Sequence, residues 1–163
     1  MATALTNLSD YDKNKIPDAS EMSFGIVVSQ WNENITGSLL EGAYQALIDN
    51  GAKHENIIVH RIPGTYELPL ASQLLLENTS VDGVVAIGSV IQGETKHFDF
   101  VCEAVSQGIK DVSLKYSKPV IFCVLTDNTL QQAIDRSGGK HGNKGVECAV
   151  AAIQMVDLRN KLS

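Results

Sequence analysis

The chain has 163 residues, of which 44% are hydrophobic, 20% charged and 6% aromatic, the balance of one ordinary globular domain with a core large enough to need no staples. Thirteen Lys and Arg against nineteen Asp and Glu give a formal charge of -6 with no basic cluster, which argues against a nucleic-acid partner. The longest apolar runs fall short of the roughly 18 to 20 residues of a membrane-spanning helix, and no membrane partner is expected.

The opening segment, residues 1–22, is polar, unperiodic and carries Pro17. It reads as an arm, mobile or ordered only by a neighbour, preceding one domain at residues 23–163. It has no apolar leader and no Arg-rich transit pattern, so the cytoplasm is the expected location.

FGIVVS at 24–29 is a short, continuous, β-branched run, the pattern of a strand buried on both faces of a parallel sheet. The same character returns in NIIVHRI from Asn56, GVVAIGSVI from Gly83 and VIFCVLT from Val120. Helical periodicity fills the intervals. Leu39, Ala43, Ala46 and Leu47 share one face and that helix stops at Gly51. YELPLASQLLLEN, HFDFVCEAVSQGIKDVSLKY, LQQAIDRSG and GVECAVAAIQMVDLRNKL follow the later strands. Pro69 falls in a first turn, where a missing N–H is no loss. Val146, Ala149, Val150, Ile153 and Val156 form the stripe of the last helix. This alternation predicts a three-layer α/β/α sandwich on a four-stranded parallel sheet, with ligands beyond the carboxyl ends of the strands.

The loops at that edge carry the chemistry. Trp31, the only tryptophan, sits with Asn32 after the first strand. It is either a half-packed aromatic or a stacking plate for a flat heterocycle, the latter worth about 1 to 3 kcal/mol. After the second strand, Thr65, Tyr66 and Glu67 follow Pro63-Gly64; Glu67 serves as a first-turn dipole partner or as an acceptor for hydroxyls. After the third strand, Gly88 to His97 superficially matches a nucleotide phosphate loop, but Glu94 stands where lysine is needed. A small phosphate could still rest on the amides of Gly93, Glu94 and Thr95. His97 at the next helix start is either structural or an acid/base group, since imidazole titrates near neutral pH. After the fourth strand, Asp135 to Gly145 is glycine-rich and cationic. Arg136 is a phosphate fork there, or the segment is a solvated turn. Cys102, Cys123 and Cys148 have neither disulfide nor zinc spacing, the four histidines form no ligand pattern, and no metal is expected.

Trp31-Asn32, PGTYELP at 63–69, GSVIQGETKHFDFV at 88–101, PVIFCVLT at 119–126 and DRSGGKHGNKGVECA at 135–149, taken together, resemble the 6,7-dimethyl-8-ribityllumazine synthases of riboflavin biosynthesis. The resemblance runs from about Phe24 to Asn160 and implies a flavodoxin-like fold. It implies condensation of 5-amino-6-(D-ribitylamino)uracil with 3,4-dihydroxy-2-butanone 4-phosphate, without metal or organic cofactor. Carried over by motif, Trp31 and Asn32 would meet the pyrimidine. Thr65, Tyr66 and Glu67, with Ser89, Val90 and Ile91, would hold the uracil and ribityl chain. Gly93, Glu94, Thr95 and Arg136 would hold the phosphate, and His97 would move protons. Phe122 would close the heterocycle pocket and Lys144 would add a cation. The sequence departs from the family pattern at Trp31, Glu94 and Lys96. The resemblance also implies that the last three loops come from an adjacent subunit, within pentamers that build an icosahedral shell. It makes riboflavin synthase a candidate partner and leaves the arm available to add a strand to a neighbour. A flavodoxin-like flavin-binding module without turnover is the alternative.

Overall fold

A computed structural model describes residues 7–163. β1 (Phe24–Ser29), β2 (Ile57–Ile62), β3 (Gly83–Ile91) and β4 (Val120–Asp127) form one parallel sheet in the order β2-β1-β3-β4. Between and after them run α1 (Glu33–Asp49), α2 (Leu68–Asn78), α3 (His97–Tyr116), α4 (Leu130–Arg136) and α5 (Lys144–Leu162).

β1, β3 and most of β4 read as apolar runs because both faces of the sheet are covered there, whereas β2, expected to share that character, is an edge strand that exposes Val59, His60 and Arg61. Successive side chains point to opposite layers. Phe24, Ile26, Val28, Val85, Ile87, Cys123 and Leu125 pack with α1 and α5 on one side. Val27, Val84, Ala86 and Val124 pack with α2 and α3 on the other. The expected three-layer, flavodoxin-like sandwich is what the chain forms. The helical stripes behave as their periodicity predicts, with Leu39, Ala43, Ala46 and Leu47 of α1 all buried against Ala149, Ala152, Ile153 and Val156 of α5.

Two local features differ from the sequence reading. The segment between α4 and α5 is a small antiparallel hairpin, β5 (Ser137–Gly139) with β6 (Gly142–Asn143), rather than a bare turn. Positive φ at Gly138 and Gly142 permits the reversal. The described part of the arm, from residue 7, lies on its own chain and not free of it. Leu8 N donates to the His141 carbonyl at 2.7 Å, and Asn143 N donates to Ser9 Oγ at 2.9 Å. Asn50 Nδ2 donates to the Tyr11 hydroxyl at 3.0 Å, and Ala19 and Met22 are buried in the core. These hydrogen bonds, with a few buried apolar side chains scattered without period, anchor it. Of the arm expected to add a strand to a neighbour, residues 1–6 lie outside the described residues.

Candidate active site

In a parallel sheet ordered β2-β1-β3-β4, the crossovers leave β1 toward opposite sides, which opens a crevice at the carboxyl ends of β1 and β3. The ladder runs past the strand ends there. Gln30 N donates to the Ile62 carbonyl, and Gln92 N donates to the Asp127 carbonyl, each at 2.8 Å, so the loops leave from a stiff edge.

The loop after β1 is held at both ends. Thr36 Oγ1 donates to the Ser29 carbonyl at 2.7 Å, Trp31 N donates to Ser29 Oγ at 3.2 Å, and Asn32 Nδ2 reaches the Ser89 carbonyl at 2.9 Å. Asn32 adopts a left-handed backbone, φ 59° and ψ 46°, which asparagine tolerates better than most residues. This geometry holds Trp31 out of the core, 72% exposed. After β2, residues Thr65–Glu67 make one turn of 3-10 helix that runs into α2. That turn buries Thr65 and leaves Tyr66 exposed. Gly88 allows the approach, because a Cβ there would lie 2.7 Å from Thr65 Oγ1. After β3, Gly93 to Lys96 cross in the open and α3 begins at His97, whose amide donates to Thr95 Oγ1 at 3.3 Å.

These loops enclose a cavity of about 440 Å³. Of the residues singled out in the sequence, Trp31, Asn32, Thr65, Tyr66, Glu67, Ser89, Val90, Ile91, Gly93, Thr95 and His97 line it together. Gly64, Phe98 and Val101 line it too and were missed. Val101 was within reach, being one helical turn after His97 on the same face. Phe100 walls an adjoining hollow with Tyr66, Glu67, His97 and Val101. Thr65 Oγ1 and Ser89 Oγ are buried and have no hydrogen-bond partner among the described residues. The exposed Glu94 does not line the cavity.

Phe122, Arg136 and Lys144 line a second cavity, also about 440 Å³, together with Leu8, Thr126, Asp127, Gln132 and His141. The two cavities share no lining residue. Of the three loops expected from an adjacent subunit, those after β2 and β3 instead line the Trp31 cavity of their own chain, and only the third stands apart. The loops after β2 and β3 meet Trp31 within one chain, because their strands flank β1 in the sheet; the segments around Phe122, Arg136 and Lys144 stand apart. In the second cavity, Arg136 donates to the Gln132 carbonyl at 3.0 Å and lies 3.8 Å from Asp127 Oδ1. Burial pushes the Asp127 carboxyl above the ordinary carboxylate range, against the opposing pull of the Arg136 charge. Lys144 pairs with Glu147 at 2.8 Å. Burial works against its ammonium, yet the hydrogen bond and charge of Glu147 help to leave its pKa raised. Among the described residues, no helix is long and apolar enough to cross a membrane.

A family model described as 6,7-dimethyl-8-ribityllumazine synthase matches residues 21–160. A protein of that name from Flavobacterium johnsoniae is 57% identical over 163 residues, covering 100% of this chain and 86% of the relative. Namesakes from Christiangramia forsetii and Phocaeicola vulgatus are 56% and 53% identical, covering 98% and 99% of this chain and 95% and 96% of their own lengths. With a family match across the whole sandwich and identities above half over nearly every residue, the chain belongs to the 6,7-dimethyl-8-ribityllumazine synthase family.

Proposed function

We propose that the protein catalyses the penultimate step of riboflavin biosynthesis, the condensation of 5-amino-6-(D-ribitylamino)uracil with 3,4-dihydroxy-2-butanone 4-phosphate to 6,7-dimethyl-8-ribityllumazine. The observation that carries this reading is the first cavity, which gathers an exposed indole, two unpartnered buried hydroxyls, a carboxylate and an imidazole at one sheet edge. The Trp31 ring offers a flat face to the pyrimidine. Thr65 Oγ1 and Ser89 Oγ are suited to polar groups of the uracil and ribityl chain, and Glu67 accepts from its hydroxyls. A buried hydroxyl without a partner is costly, and a polyhydroxylated ligand relieves that cost.

The nucleophilic amine belongs to the substrate, so no activated side chain is needed. Imine formation, phosphate elimination and ring closure each move protons, and His97 at the mouth of the cavity is the group placed to carry them. Gly93, Glu94 and Thr95 present backbone amides just before α3, where the helix dipole favours an anion.

Phe122, Arg136 and Lys144 reach that chemistry from a second copy. Their cavity is separate within the chain, and Arg136 as phosphate fork must be brought to the Gly93 to Thr95 loop by a neighbour's sheet edge. Exposed Leu70, Leu74, Phe100 and Leu114 offer apolar surface for such contacts. The assembly is a pentamer, further built into an icosahedral shell in the cytoplasm, with riboflavin synthase as a candidate partner. The alternative of a flavin-binding module without turnover is not favoured by membership of a synthase family. Mixing the two substrates with the protein and following lumazine fluorescence tests the reading. Product formed in proportion to protein supports it, and a yellow, flavin-loaded protein that makes no lumazine overturns it.

A further inference from the structure

Asp127 ends β4 with its backbone engaged, since its carbonyl accepts from Gln92 N at 2.8 Å. Any residue could do that. Its side chain is another matter, because it is only 7% exposed and Oδ2 finds no hydrogen-bond partner among the described residues. A carboxylate buried this way is expensive, and a purely structural role would surround it with donors. The charge nearest it is Arg136, a short loop and the length of α4 later in the chain, with NH1 3.8 Å from Oδ1. That separation is too long for a hydrogen bond. The guanidinium is directed instead by its bond to the Gln132 carbonyl at 3.0 Å, and it keeps 34% of its surface open. Asp127 therefore gives Arg136 charge without orientation.

The other charged groups of the cavity do not take this role. Lys144 is committed to Glu147 at 2.8 Å, and His141 lies on the hairpin with its backbone bonded to Asp135 and Leu8. Among the described residues, Arg136 is thus a cation whose only acidic neighbour within 4 Å is a loosely held internal one.

We infer that Asp127 is a built-in counter-anion that competes with a phosphate group for the Arg136 guanidinium, loosening the hold of this site on phosphate and easing its release. The buried carboxylate already offsets part of the guanidinium charge across a medium less screening than water, so a phosphate arriving at Arg136 gains less attraction from it. The competition keeps the phosphate side of the site from trapping inorganic phosphate, the by-product of the condensation. The inference rests on the reading of Arg136 as the phosphate fork.

The test uses the full-length assembled protein, titrated with inorganic phosphate by calorimetry and assayed for lumazine. Asp127→Asn should tighten inorganic phosphate about three- to tenfold, the range of a partly screened ion pair. It should lower KM for the ketone phosphate and leave KM for the pyrimidine unchanged. Asp127→Ala should act in the same direction, and its fold is protected because Arg136 keeps the Gln132 bond and open surface. In an Arg136→Ala background, Asp127→Asn should no longer change phosphate affinity. Unchanged or weaker phosphate binding in both Asp127 variants overturns the inference. So does an undiminished effect without Arg136, which would put the repulsion on the phosphate itself. Failure of the wild type to form lumazine would remove the proposed reaction, while the phosphate titration still decides the role of Asp127.

Discussion

The side-chain amide of Asn32 donates to the backbone carbonyl of Ser89 at 2.9 Å, tying the loop after β1 to the end of β3. The bond and the left-handed backbone at Asn32 together hold Trp31 at the rim of the cavity. Asn32→Ala loses a hydrogen bond worth about 1 kcal/mol and must also adopt a backbone costing about 1 to 2 kcal/mol. Asn32→Gly loses only the bond. The alanine variant should unfold at clearly lower urea concentration than the glycine variant, and both should raise KM for the pyrimidine. Equal midpoints would show that the left-handed turn carries no strain.

His97→Ala should slow the condensation by about 10² to 10⁴ without abolishing it. General acid and base catalysis supplies that much, whereas holding two substrates together supplies about 7 to 11 kcal/mol and needs no imidazole. Steady-state rates at saturating substrates decide, and a wild-type rate removes His97 from its role.

Gly145 lets α5 start against α1. A Cβ there would run into the Leu39 backbone carbonyl, and neither helix can yield without moving its partner. Gly145→Ala should therefore cost at the upper end of the roughly 1 to 3 kcal/mol of overpacking, read as a lowered melting temperature. A melting point matching wild type would mean that α1 gives way freely.

The strands and long helices were legible because each buried face writes a period into the sequence. FGIVVS and GVVAIGSVI, apolar but for Ser29 and Ser89, have the pattern of strands covered on both sides, and β1 and β3 begin and end where those runs do. Eleven of the 14 residues lining the first cavity were legible, most because every strand end in such a sheet delivers its loop to one edge, and Ser89, Val90 and Ile91 through the family resemblance. What stayed hidden depends on contacts between segments distant in sequence. Asp127 reads as the polar end of an apolar strand, and only the folded chain shows its carboxylate beside Arg136. The hairpin of β5 and β6 holds too few side chains to leave a pattern, and the arm is ordered by backbone bonds to it that no periodicity records.

Burial raises the Asp127 carboxyl above its ordinary range despite Arg136. The folded state then binds that proton more tightly than the unfolded chain, so this group removes stability as pH rises from the unfolded carboxylate value through the folded one. Asp127→Asn removes the penalty. The variant should melt above wild type near pH 7, and the gap should narrow as pH falls below the folded value. A variant that melts lower at neutral pH would show that attraction to Arg136 outweighs burial.

A site shared between copies makes a specific demand on mixed assemblies. His97 lines one cavity and Arg136 the other, with no lining residue in common. If each active site joins the first cavity of one subunit to the second cavity of the next, His97→Ala and Arg136→Ala damage opposite halves. Where an Arg136→Ala subunit offers its intact first cavity to the intact second cavity of a His97→Ala neighbour, a complete site returns. In a ring assembled at random from equal amounts, about one site in four is complete, because every interface in a cyclic homo-oligomer joins the same two patches. Unfolding and reassembling the two variants together should therefore raise activity toward about a quarter of wild type, well above either variant reassembled alone. Recovery no better than the average of the separate variants would confine each site to a single chain. Sedimentation of the same samples reads the assembly directly, with five-subunit species or a closed shell of them expected and a monomer that retains full activity excluding a shared site.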